Sequence, residues 1–242
     1  MGSDRAIGVF SGKGGVGKTV SAVNLALALQ DHGEETVCID GDVNAPNIAL
    51  QLGLEPDRTA LSDPDVSLDS SLYVHDSGLL FVPSTHLLSD RAVDADRMRD
   101  LAGRLHGTAV VDAPPGFARP TRELMAAVDE AVVVTTPERP AVRDAEKTLA
   151  LLDRADVDVA GLLVIRADQG PDIDDRFDAP VLGRVPAHAA VRTSIAAAEP
   201  LLTYRPYSPA SLAYREAAAE LAGVDYRPPS FPWLRKALHR LR

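Results

Sequence analysis

Phe10-Ser11-Gly12-Lys13-Gly14-Gly15-Val16-Gly17-Lys18-Thr19 is the stretch whose reading decides the fold. It fits the phosphate-loop pattern G-x-x-x-x-G-K-[ST], with a second lysine, Lys13, directly after the first glycine. The flanks are what such a loop needs. Ala6-Ile7-Gly8-Val9-Phe10 reads as a buried strand, and the apolar-rich run from Val20 to Leu29 reads as the helix that follows. Gly12, Gly14, Gly15 and Gly17, with Val16 between them, let main-chain N–H groups converge on phosphate oxygens, and the helix N-terminus adds a favourable dipole. Lys18 is placed to reach the β- and γ-phosphates, and the Thr19 hydroxyl to ligate Mg²⁺.

Outward from this loop, strand and helix signals alternate, as in a mostly parallel, doubly wound α/β sheet flanked by helices. Strands are expected over 7–11, 36–40, 79–83, 108–112, 130–135, 159–165 and 180–184. Those around Val110, Val133 and Leu163 are continuous apolar runs, the mark of strands buried on both faces. Helices are expected over 19–32, 93–105, 120–128, 141–155, 190–198 and 209–221, and a polar surface loop over 55–71. The 242 residues divide into one domain, 1–224, a linker, 225–229, stiffened by Pro228-Pro229, and a last segment, 230–242. The first strand begins almost at once, so no signal peptide is expected. No apolar run reaches the ~18 residues of a bilayer span. The single cysteine, Cys38, lies in an apolar strand and reads as a packed core thiol, which leaves no C-x-x-C metal site.

Three carboxylates end apolar strands. In parallel sheets ligands sit beyond the carboxyl ends of the strands, so Asp40 and Asp42 fall near the phosphates. Asp112 closes Val110-Val111-Asp112 and can hold the hydration shell of Mg²⁺, which keeps several waters and few protein ligands. Pro114 and Pro115 restrict φ, and Gly116 frees the backbone N–H to turn toward the γ-phosphate. No histidine is positioned by sequence as a base or a ligand.

The run Lys13-Gly14-Gly15-Val16-Gly17-Lys18-Thr19 resembles the deviant Walker A motif of the MinD/ParA family, most nearly its archaeal, haloarchaeal-type MinD-like branch. The resemblance covers roughly residues 5–222. It implies a P-loop NTPase fold, ATP and Mg²⁺ as cofactors, and an ATP-dependent homodimer in which Lys13 crosses to the other subunit's nucleotide. It assigns catalysis to Lys13, Lys18 and Asp42, with Asp42, 24 residues after Lys18, activating the attacking water. It places Thr19, Asp40 and Asp112 around the metal, the last two through its waters. Asp40-Gly41-Asp42 followed by Asn47 is similar to the family's switch I, and Asp112-Ala113-Pro114-Pro115-Gly116 to its Walker B merging into switch II. The chain departs from the family at Val20, where a threonine is frequent, and at Ile165-Arg166, where the family often has Asn-Arg. The resemblance therefore puts the adenine against Arg166 and the backbone near Pro186.

Charge and the last segment choose among the family's branches. Net charge is −10, with 25 aspartates and 21 arginines against 4 lysines, two of them in the phosphate loop. Such usage resembles proteins of salt-loving archaea, in whose cytoplasm the Debye length falls to about 3 Å at 1 M salt. An acidic surface in high salt binds nucleic acid poorly. At about 100° per residue, Phe231, Trp233, Leu234, Leu238 and Leu241 share one half of a helix over 230–242, and Arg235, Lys236, His239, Arg240 and Arg242 the other. No acid interrupts it, and Ser230 and Pro232 suit its start. It resembles the membrane-targeting helix of MinD proteins. The expectation is a cytoplasmic ATPase that associates reversibly with the cytoplasmic face of the cell membrane through lipid contacts. It would position a division site, a polar array or motility machinery with an unidentified activator or cargo protein. The alternative is a ParA-like partition ATPase binding nucleoid DNA, which shares every phosphate-site residue; acidity and the tail stand against DNA. The missing C-x-x-C stands against an iron–sulfur scaffold.

Overall fold

Strand β1 (Arg5–Phe10) runs into the glycine loop and leaves it as helix α1 (Lys18–Asp31), with no cis peptide bond among the described residues. The structure is a computed structural model that describes residues 5–56, 59–61, 63, 65–84, 95–104 and 107–226. The chain continues through β2 (Thr36–Asp40), α2 (Ile48–Gln51), α3 (Leu68–Ser71), β3 (Tyr73–Val74), β4 (Leu80–Val82), α4 (Ala95–Arg104) and β5 (Thr108–Asp112). Then come α5 (Arg119–Met125), β6 (Glu130–Thr135), α6 (Arg139–Arg154), β7 (Asp158–Ile165), β8 (Val181–Val185), α7 (Ala189–Ala196), α8 (Leu201–Tyr204) and α9 (Pro209–Ala222).

The eight strands form one sheet in the order β3-β4-β2-β5-β1-β6-β7-β8. Every pairing is parallel except that of β3 with β4. Alternation of side chains sends Ile7 and Val9 of β1 to one face and Ala6 and Phe10 to the other. Val132 and Val134 of β6 join the first face, Ala131 and Val133 the second. The first face is covered by α1, α7, α8 and α9, the second by α4, α5 and α6. Helix α1 is buried at every position from Ser21 to Leu29 because it lies between the sheet and α9, so it needs no polar face.

All seven expected strands are present, three with the expected bounds and four shifted by one or two residues. Four short elements were not legible. Helices α2, α3 and α8 are four residues each and β3 two, too short for a periodic signal. The expected loop over 55–71 ends in α3, which starts because the Ser67 hydroxyl accepts the N–H of Ser70. Gly223, with φ of 64°, ends α9, and the ring of Tyr226 stands edge-on to His32 with centroids 5.8 Å apart. Linker residues 227–229, and the segment 230–242 with Phe231, Trp233, Leu234, Leu238 and Leu241, lie outside the described residues.

Candidate functional site

Neighbouring strands β2, β5 and β1 end side by side, and their carboxyl ends bring Asp40, Asp112 and the glycine loop together. Gly15 and Gly17 have φ of 78° and 106°, a region open to glycine at little cost. A Cβ on Gly14 or Gly15 would meet nothing within 4 Å, so the outer side of the loop is free for a ligand to approach the backbone. A Cβ on Gly12 would instead sit 2.6 Å from Asp144 of α6, so that glycine is needed for packing. Gly17 caps α1 without any side-chain acceptor, and no acid occupies the first turn. The helix therefore presents uncompensated N–H groups and its positive end where phosphates are expected. Val16 is buried, Thr19 and Val20 are half-buried, and Lys13 is exposed.

Lys18 and Asp112 form a buried ion pair, 7% and 0% exposed, between the Lys18 ammonium and Asp112 Oδ1. Asp112 Oδ2 is buried with no hydrogen-bond partner among the described residues. An orphaned carboxylate oxygen is what a hydrated cation would satisfy, and beside the Thr19 hydroxyl the donor set fits Mg²⁺.

Asp40 does two things at once. It faces Asp112 across the β2–β5 ladder, and its carboxylate accepts the N–H groups of Asp42 at 3.1 Å and of Asn47 and Ile48 at 3.0 Å. It thereby caps α2 and fixes the turn between. Burial first, then the Asp112 carboxylate, push the Asp40 carboxyl up to about 8, against the pull of the Ile48 and Asp42 N–H groups. A cation would relieve that repulsion. Asp42 is 5% exposed, and its Oδ1 accepts the N–H of Ala45 at 3.1 Å. Burial raises its carboxyl, which the Ala45 bond and then Lys18 partly counter. Asn47 is exposed and its side chain bonds only locally, to the Ala45 carbonyl.

After β5, Pro114 is buried and its carbonyl accepts from Thr121 at 3.3 Å. Gly116 has a positive φ, 81°, and its N–H donates to the Ser11 carbonyl at 3.0 Å. Turning it toward a γ-phosphate requires that bond to open.

Where the base is expected, a cavity of about 630 Å³ is lined by Gly15, Val16, Gly17 and Val20. Arg166 and Pro186 both line it, as do Ile165, Val185, Val191 and Tyr214. Arg166 is held at φ 55°, and its guanidinium lies 3.9 Å from Glu138. Ile165 packs toward Gly17, whose Cβ would lie 3.6 Å from Ile165 Cγ2. Sequence reasoning missed Asp144 beneath Gly12, Lys147, which pairs with Asp144 at 2.9 Å and stands 5.6 Å over the ring of Phe117, and His188, which caps α7. None left a readable signal: histidine is not among the usual N-cap residues, and the other two depend on contacts across the fold.

Residues 3–167 match the ParA family, described as the NUBPL iron-transfer P-loop NTPase. The chain is 33% identical over 243 aligned residues to the septum site-determining protein MinD of Synechocystis sp., across 92% of this chain and 91% of that protein. Its fold is similar to the cell division ATPase MinD of Pyrococcus furiosus, with a TM-score of 0.84 and 26% identity over 91% of this chain and 99% of that one. It is also similar to the septum site-determining protein MinD of Pyrococcus horikoshii complexed with Mg-ADP, with a TM-score of 0.81 and 26% identity over 90% and 95% of the two chains.

Proposed function

The chain belongs to the ParA/MinD family of ATP-binding P-loop NTPases, and from that premise we propose that it is a MinD-like ATPase that dimerises on ATP, attaches to a membrane and leaves it on hydrolysis. The observation that carries the reading is the convergence of the buried Lys18–Asp112 pair, the orphaned Asp112 Oδ2 and Asp40 beneath an open glycine loop.

In the proposed cycle, the amides of residues 12–19 cradle the phosphates and Lys18 exchanges Asp112 for the β- and γ-oxygens. Thr19 would hold Mg²⁺ directly and Asp112 and Asp40 would hold it through its waters, where it would supply charge neutralisation at the phosphates. Asp42 orients water for in-line attack. Lys13, exposed beside the open face of Gly14 and Gly15, is placed to reach the nucleotide of a second copy. Arg166 and Pro186 contact the base. Domain 1–224, linker 225–229 and helix 230–242 divide the labour: the domain switches and the tail binds lipid through Phe231, Trp233, Leu234, Leu238 and Leu241. One such helix is a marginal anchor; two in one dimer bind far better through effective concentration. The protein would thus position a division site, polar array or motility machine, with a protein activator or cargo. The family description mentions iron transfer, but the one cysteine per chain, Cys38, is buried in β2, which supports the ATPase reading over cluster carriage.

The test is co-sedimentation with liposomes in ATP, in ADP, and in ATP after deletion of 230–242, across salt concentrations. ATP-dependent pelleting that needs the tail and survives high salt is the expected result. No pelleting with any nucleotide would overturn the membrane reading, and ATP-dependent retention on DNA that ignores the tail would move the protein to the partition branch.

A further inference from the structure

Strands β7 and β8 pair in register only as far as Ile165 and Val185, and their loops then run on into the base cavity. Beyond that point one hydrogen bond joins the two loops among the described residues: the Asp168 carboxylate accepts the N–H of Ala187 at 2.6 Å, across 19 residues of sequence. Both ends of the bond are built. Asp168 lies in a single 3₁₀ turn, Ala167–Gln169, entered through Arg166 in the left-handed region and closed by the Gln169 N–H on the Arg166 carbonyl at 2.9 Å. The turn is braced from behind, since a Cβ on Gly170 would lie 2.6 Å from Pro137. A non-glycine residue at positive φ is costly and persists only where its surroundings hold it. Ala187 follows Pro186, which has no N–H of its own, so Ala187 supplies the first backbone donor after β8.

Resting on the nucleotide reading above, we propose that Asp168 is a positioning residue for the base of the nucleotide. By taking the Ala187 N–H it latches the loop after β8 to the turn after β7, and so sets the width of the slot between Ile165 and the Pro186–Ala187 backbone. Arg166 and Gln169 line the cavity as well, but Ile165 ends β7, so the wall facing it is the Pro186–Ala187 backbone, and that wall is only as well placed as its latch. Asp168 itself is exposed, and its hydrogen bond reaches the loop after β8. The latch therefore acts on the base and not on the phosphates. The acceptor matters and the charge is secondary, so an amide oxygen at 168 serves the same role.

The experiment compares wild type, Asp168→Ala and Asp168→Asn in Mg²⁺ buffer, with ATP and inorganic tripolyphosphate as ligands, by calorimetry and steady-state phosphate release. Asp168→Ala is expected to raise the ATP Kd and KM about five- to tenfold, with kcat and tripolyphosphate affinity within about twofold of wild type. Asp168→Asn is expected to restore ATP affinity to within about twofold. Equal loss for both ligands, no loss for either, or failure of asparagine to rescue would overturn the latch. Wild type that binds tripolyphosphate and not ATP would overturn the nucleotide reading itself, and the latch with it.

Discussion

On the phosphate side of the cleft, Lys18, Asp40 and Asp112 are 7%, 0% and 0% exposed and are tied to one another or to main-chain N–H groups. On the base side, Asp168, Gln169 and His188 are exposed, and the loops that carry them meet through one hydrogen bond among the described residues. The first half is built at the ends of central strands, where burial makes every charge depend on a partner. The second is built at the edge of the sheet, where loops can shift without unpacking the core. A phosphate is the same on every nucleotide and demands a fixed cradle. A base is recognised by a wall whose exact spacing is set by loop contacts. The two halves should therefore respond differently to substitution: breaking the phosphate-side ion pair should cost stability and binding together, and base-side loop changes binding alone.

Lys18→Ala should give the largest effect. It removes the cation that meets the phosphates and leaves Asp112 buried beside Asp40 without a counter-charge. Turnover per ATP should fall at least about a hundredfold. The nucleotide-free protein should lose about 3–5 kcal/mol, the usual cost of breaking a buried pair from one side. Urea unfolding and phosphate release measured on the same preparation check both. A variant that loses ATP binding at full stability would break the comparison, because the pair would then have no structural weight.

Asp42→Ala tests whether the same burial serves chemistry. Its carboxylate holds the Ala45 N–H at 3.1 Å. The expected outcome is hydrolysis slowed about a hundredfold, with ATP affinity within about twofold of wild type, measured by single turnover and equilibrium binding. A parallel fall in affinity would place Asp42 in loop support rather than at the water. Lys13→Ala is expected to do less to a single chain: nucleotide binding should stay within about threefold, while ATP-dependent dimers, read by light scattering, disappear.

These contrasts also separate what could be read in the chain from what could not. The glycine loop, its strand and its helix were legible because glycine spacing, an apolar run and a 3.6-residue period sit next to one another in sequence. Asp112 was legible as a carboxylate at the end of a buried strand. Asp40 was legible as a carboxylate near the phosphates, but its capping of α2 was not. That depends on the N–H groups of residues 42, 47 and 48 folding back on it, and no period marks a three-residue turn of that kind. Gly12 was read as a phosphate-loop glycine, whereas α6 is what forbids a side chain there, 132 residues away at Asp144. The bond from the Gly116 N–H to the Ser11 carbonyl was not legible, since the sheet is what brings the two loops together. Local rules carried the phosphate half; the base half depends on contacts between distant loops.

Tyr214 belongs to both halves and gives the smallest, most discriminating test. It lines the base cavity from α9, and its hydroxyl is 3.1 Å from that of Ser21 in α1, the helix that begins at the glycine loop. Burial pushes its phenol up from 10.0 to about 12, and the Ser21 bond pulls the other way. A group whose folded-state pKa lies above its unfolded value contributes stability that is complete below pH 10 and is lost as pH rises toward 12. Tyr214→Phe should therefore cost about 1 kcal/mol at neutral pH, for one lost neutral hydrogen bond, and should flatten the fall of stability between those two pH values. Urea titrations at a series of alkaline pH values read both. If α1 and α9 are joined mainly by this bond, the ATP KM should also rise about twofold, because the cavity wall and the loop helix move apart. If KM is unchanged while stability falls, the apolar packing of α1 on α9 alone holds the two halves in register, and the hydroxyl pair serves only to satisfy itself.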